Sequence, residues 1–370
     1  MLWNNFRSKE NTVGEAFIRI EREFMGKQRI NYLSLASVIS AYAVVVLHAN
    51  SVFWNFSTQS IWAVSNLIES VFYYAVPVFF MISGATLIDY RERYSTKEFF
   101  EKRIAKTMIP FLAWTGVGIA FIRLTQEMFP IPLNLQEWKE VALYILNNNY
   151  VGVYWFFTPL FCVYLCIPLF SAVEKSIRMK VFQYLVGIGF ILNIALPFFE
   201  SVFSLGYNNP LEVGVVGGYL IFVVLGYILN KQTLEKRWRM ICYLLGIIGF
   251  LIQVIGTYNA SMEAGYVVTL YKGYINLPCM LYATAVFVFI KEISSKIKNE
   301  KVWRFINWAS KYTFAIYLMH WYVMVVLEKL FNINLYSVLY RLIGPIVICA
   351  VCILIAWIMR KIPVVKKIVP

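Results

Sequence analysis

Apolar residues in this chain run in blocks of about twenty, separated by short charged or turn-forming stretches. An α-helix needs about 20 such residues to cross the hydrocarbon core of a bilayer. Ten blocks are read as spans: 32–52, 65–88, 107–128, 152–173, 181–200, 213–230, 240–258, 275–291, 310–330 and 339–360. The stretch 259–275 is more mixed and blurs the start of the eighth. The pattern predicts an all-α polytopic membrane protein. It divides into a polar N-terminal segment (1–31), one ten-helix transmembrane domain (32–360) and a basic tail (361–370). Two further stretches read as amphipathic helices. In 13–24, Val13, Phe17, Ile20 and Phe24 form one apolar stripe, suited to lying on a membrane surface. In 129–151 a short helix flanked by turns is placed to cap the bundle.

Composition fits the same class. Hydrophobic residues make up 60% and charged residues 15%, against about 45–50% and about 25% in soluble domains. The first thirty residues are charged, so no secretory leader is read. A net charge of +14 raises the question of nucleic acid. Its distribution answers with topology instead. If the N-terminus is cytoplasmic, the segments on that side and their borders hold 28 of the 34 Lys and Arg. That is the positive-inside bias, and it predicts both termini on the cytoplasmic side of the cell membrane, with no nucleic-acid partner. Trp54, Trp62, Trp138 and Trp303 fall near the expected interfaces. The six cysteines sit in apolar blocks without His or acid neighbours at ligand spacing, so neither a disulfide nor a metal site is expected.

Polar groups inside the spans carry the candidate chemistry, because ionisable side chains are expensive there. The chain has two histidines, and both lie in spans: His48 in the first and His320 in the ninth. Glu69 falls about four residues from the outer end of the second span, as His48 does in the first, so the two can share a depth. A carboxylate beside an imidazole fixes its tautomer and stabilises the imidazolium; alternatively Glu69 faces the aqueous boundary. Pro77 is expected to kink the second span, and Ser83-Gly84 to allow close helix contact. Arg103 and Lys106 are one turn apart at the inner mouth of the third span. They suit a phosphorylated cosubstrate, or ordinary cytoplasmic anchoring. Tyr154 and Trp155 open the fourth span from outside, as walls of a sugar-binding cleft or as interface aromatics. Asn193, Gln253 and Asn276 are expected to make interhelical hydrogen bonds.

Several segments, in this order, resemble the membrane acyltransferase-3 family: RINYLSLASVISAYAVVVLH, VPVFFMISGATL, KRIAKTMIPFLAW, VYWFFTPLFCVYLCIPLF and YTFAIYLMHWYV. The resemblance covers about residues 29–360. It implies a polytopic O- or N-acyltransferase that modifies surface glycans. His48 then matches the family's first-span catalytic histidine, with Glu69 as its candidate partner. Arg103 and Lys106 match a basic pair linked to the acyl donor, and Ser83 of the second-span Ser-Gly signal is grouped with them. His320 matches a common late-span histidine and joins Tyr154 and Trp155 as a substrate-side candidate. The implied cosubstrate is acyl-CoA, acetyl-CoA first, with no metal, and the implied acceptor is a glycan or other envelope component. One departure stands out. The family usually carries Arg eleven positions before the histidine, and often an acid three before that. This chain has Ser37 and Ser34. The other class compatible with these features is an exporter or flippase for a polysaccharide or lipid-linked sugar. It would bind no acyl-CoA and would not need His48.

Overall fold

The computed structural model describes residues 31–124, 143, 151–206 and 211–369. Among them the regular elements are helices, without strands. In chain order they are α1 (Asn31–Ala49), α2 (Ser60–Glu92), α3 (Thr96–Ile122), α4 (Gly152–Ala172), α5 (Lys175–Phe203), α6 (Leu220–Lys231), α7 (Lys236–Ala264), α8 (Leu277–Lys296), α9 (Glu300–Ser310), α10 (Thr313–Leu330) and α11 (Val338–Met359). Nine of these, all but α6 and α9, are long and apolar enough to cross a membrane. This is a multi-pass, all-α membrane protein. The expected amphipathic helix at 13–24 and most of 129–151 lie outside the described residues.

The sixth expected span, 213–230, is helical only from Leu220. Twelve residues rise about 18 Å, short of the ~30 Å hydrocarbon core. Glycines before it explain the late start, since Gly218 adopts a left-handed φ of +56°. The short helix is tolerated because protein surrounds it: Ile221 to Val224 and Gly226 to Asn230 are buried. It packs on α2 through reciprocal glycines. A Cβ on Gly84 would lie 1.8 Å from the Val223 carbonyl oxygen, and one on Gly226 would lie 2.2 Å from that of Met81.

Four long helices are locally broken: α7 widens into a π-type turn at Ile252–Gly256, and three others break before a proline. Pro77 lacks an N–H, and its ring crowds the carbonyl four residues back. Accordingly α2 opens into a turn at Tyr73-Tyr74. In α3 the residues Ile104–Met108 widen into a π-type turn ahead of Pro110, and in α5 Phe190–Ala195 do so ahead of Pro197.

At the basic end of the bundle, Asp89 joins three helices. Arg178 Nη1 lies 2.9 Å from its Oδ1 and Lys231 Nζ 2.6 Å from its Oδ2. At the opposite end the α1–α2, α7–α8 and α10–α11 loops gather. Trp62, expected at an interface, is instead core: it is buried, stacks on Phe53 and donates Nε1–H to the Phe53 carbonyl at 2.8 Å. Residues 300–310, nearly all of them between the expected spans 275–291 and 310–330, form α9. Its Val302, Phe305 and Trp308 are exposed on one stripe, as in a helix lying along a membrane surface.

Of the isolated polar residues, Asn193 pairs with both backbone groups of Val213, at 3.1 and 2.8 Å. Asn276 caps α8 by accepting from Cys279 N at 3.1 Å. Gln253 differs: it is buried, and its amide atoms have no partner among the described residues.

Candidate active site

A cavity of about 610 Å³ opens inside the bundle. On α1, Ser37, Val44 and His48 face it. Ser37 and His48 are eleven residues apart, three turns and about 16 Å along the axis. The break in α2 lets both halves of that helix contribute, Glu69 and Tyr73 before and around it, Phe79 and Ser83 after it. The wide turn of α3 presents Lys106 and Thr107. Trp155 and Tyr164 of α4, Tyr274 of the α7–α8 loop and Tyr317 of α10 complete much of the wall. Lys106 is exposed and stands at the basic end. Trp54, 55% exposed, stands at the other.

His48 is half-buried on this wall. Behind it, fully buried in α10, lies His320, with ring centroids 5.0 Å apart. The fold thus brings the two histidines together. His320 Nδ1 is 2.8 Å from the Tyr317 carbonyl oxygen. Glu69 faces the same cavity, and its Oε2 accepts from Asn50 Nδ2 at 2.9 Å.

Asn50 belongs to a buried polar cluster that sequence reasoning missed. Its Oδ1 accepts from Arg341 Nη1 at 3.1 Å, and Arg341 also donates to Ser65 Oγ and to the Tyr336 carbonyl. Beside it Lys272 is buried, donating to Asn66 O at 3.1 Å and to Asn66 Oδ1, with Nζ 4.4 Å from the Phe53 ring centroid. Lys272 and Arg341 are among the six Lys and Arg that fall outside the segments assigned to the cytoplasmic side. A signal was present, because Ser65, Asn66 and Glu69 recur at helical spacing within one apolar block. Burial pushes the Lys272 ammonium pKa down from its ordinary range, and the charge of Glu69 opposes the fall.

At the basic end, Lys106 and Arg103 diverge. Lys106 lines the cavity. Arg103 lies behind the wall, its guanidinium 5.6 Å from the ring centroids of both Phe99 and Tyr164. Ser83 lines the cavity, and its hydroxyl donates to the Phe79 carbonyl at 3.0 Å. The neighbours Tyr154 and Trp155 diverge too. The Tyr154 hydroxyl donates to the Leu318 carbonyl at 2.6 Å, tying α4 to α10. Trp155 lines the cavity and stacks on Tyr274, which stacks on Tyr73.

The comparison that decides the family covers nearly the whole of the described bundle: the acyltransferase-3 model, described as an acyltransferase domain, matches residues 30–360. The chain belongs to the acyltransferase-3 family. It is 24% identical over 316 residues to a Bacillus subtilis (strain 168) protein named "Putative membrane-bound acyltransferase YfiQ", covering 80% of this chain and 82% of that one. No solved structure matches it. As a member of the family the chain is a membrane acyltransferase, and its departure at Ser37 acquires a location. Ser37 lines the cavity, so the arginine usual at that position would project its charge into the same space as His48.

Proposed function

We propose that this acyltransferase moves an acyl group, acetyl first among the candidates, from acyl-CoA to a hydroxyl of a glycan or similar component of the cell envelope. The observation that supports this reading is one continuous cavity bearing Lys106 at the basic end and His48 and Glu69 toward the other. The Lys/Arg bias assigns the basic end to the cytoplasm, where acyl-CoA is found. Lys106 meets the donor's phosphates, and Ser83 flanks its arm. The acceptor enters from the Trp54 end. The stacked rings of Trp155, Tyr274 and Tyr73 offer a flat apolar face to a sugar.

His48 acts as general base. It takes the proton of the acceptor hydroxyl while that oxygen attacks the thioester carbonyl carbon. The tetrahedral intermediate collapses with cleavage of the C–S bond. His48 then returns the proton to the departing CoA sulfur. One ester forms, one thioester breaks, and nothing is oxidised or reduced. Glu69, across the same cavity, offsets the positive charge that His48 carries between the two proton transfers.

The test is incubation of the purified protein with acetyl-CoA radiolabelled in the acetyl group, with and without envelope glycans. Label is expected to enter the glycan as a base-labile ester, with slow thioester hydrolysis when no glycan is present. A folded protein that binds no acetyl-CoA and transfers no label would instead favour glycan export.

A further inference from the structure

His320 is fully buried, and only one of its ring nitrogens has a partner among the described residues. Nδ1 lies 2.8 Å from the Tyr317 carbonyl oxygen and 3.2 Å from that of Ile316. Carbonyl oxygens only accept, so Nδ1 carries the proton. In the neutral ring Nε2 is then a lone-pair acceptor. That acceptor is buried and unpartnered among the described residues. Because Nδ1 is tied to the backbone of its own helix, Nε2 points away from it. The imidazole of His48, from α1, sits 5.0 Å away between centroids with a 34° tilt. At this centroid spacing a nitrogen of each ring comes within hydrogen-bonding distance when the rings turn toward each other. A buried acceptor without a donor is costly, and such groups in native proteins call for an explanation.

Resting on the acyltransferase reading above, we propose that His320 is the positioning residue for His48. Its Nε2 lone pair takes the N–H that His48 turns away from the cavity. The other His48 nitrogen is thereby left as a lone pair facing the acceptor hydroxyl. No hydrogen bond joins the two rings in this structure; the bond belongs to the loaded site, where catalytic hydrogen bonds tighten. When His48 takes the hydroxyl proton, its second N–H stays with it, held by His320. The first proton goes back to the CoA sulfur, so the pair ends as it began. A neutral imidazole here performs the tautomer-fixing part of a triad carboxylate's work. Glu69, hydrogen-bonded to Asn50, supplies the charge.

The chain has two histidines, so ring-15N-histidine NMR reports this pair alone. Spectra of the wild type saturated with CoA are expected to show His320 protonated at Nδ1 and His48 in a single tautomer. In His320→Phe, which keeps bulk but offers no acceptor, His48 is expected to become a mixture of tautomers with a shifted titration midpoint. In the same variant kcat should fall about 100-fold, with KM for acetyl-CoA nearly unchanged. His320→Gln, which restores an acceptor oxygen, should recover part of the kcat loss. A folded His320→Phe with wild-type His48 signals overturns the positioning role. So does a wild-type His320 protonated at Nε2, a result that needs no variant to fold. A wild type with the paired tautomers but no acyl transfer would overturn the acyltransferase reaction and leave the pairing standing.

Discussion

Ser37 and His48 lie on one face of α1 and line the same cavity, separated by about 16 Å of helix. The family resemblance implies an arginine at the first of these positions, where this chain has serine. This chain leaves the space between the basic mouth and the catalytic candidate without that charge. Lys106 is the cation that lines the cavity there among the described residues.

Restoring the arginine should therefore tighten donor binding. Ser37→Arg is expected to lower KM for acetyl-CoA about tenfold, the worth of one charge-assisted contact of roughly 1.4 kcal/mol. Steady-state kinetics check this. An unchanged or higher KM would mean that the donor does not pass Ser37.

Lys106 and Arg103 should separate on mutation, although they read as a pair in the sequence. Lys106→Glu is expected to raise KM for acetyl-CoA tenfold or more, with a melting temperature near wild type. Arg103→Ala removes a guanidinium packed between Phe99 and Tyr164. It should lower the melting temperature in detergent more than Lys106→Glu does. Identical behaviour of the two variants would contradict their different placement.

The contact of α2 with α6 leaves no room for a side chain. Gly84→Ala would put its Cβ against the Val223 backbone, which cannot yield as a flexible side chain can. A loss of about 1–3 kcal/mol is expected from overpacking, read as a lower melting temperature in detergent. A wild-type melting temperature would show that the helices separate more easily than this contact implies.

Lys272 gives stability a pH dependence whose sign can be worked out. Burial holds its folded pKa below lysine's ordinary 10.5. Between those two values the unfolded chain binds a proton that the folded chain lacks, so stability rises with pH across the interval. The melting temperature of wild type relative to Lys272→Met should therefore climb through the neutral-to-alkaline range. Parallel curves would mean that Lys272 titrates normally in the folded protein.

Much of the architecture was legible because the bilayer imposes a length. Blocks of twenty apolar residues gave nine spans with only their ends displaced. The sixth was overestimated, since hydropathy does not register that Gly217 and Gly218 delay helix formation to Leu220. Of the site residues, His48, Glu69, Ser83, Lys106 and Trp155 line one cavity, while Arg103, Tyr154 and His320 stand behind its wall. Spacing along a helix shows which residues share a face. It does not show which face turns inward, and this separates Tyr154 from Trp155. The Asn50–Arg341 and Asn66–Lys272 links join residues more than 200 positions apart. Such pairings are fixed by the tertiary packing, and no local pattern announces them.

Acyl transfer through His48 is tested most directly by one comparison. Wild type and His48→Ala, matched for membrane expression and melting temperature, are given acetyl-labelled acetyl-CoA, and label in glycan and in free acetate is counted. Label transfer by wild type that falls at least about 100-fold in His48→Ala is expected. Equal transfer by the two proteins would remove His48 from the chemistry and with it the proposed mechanism.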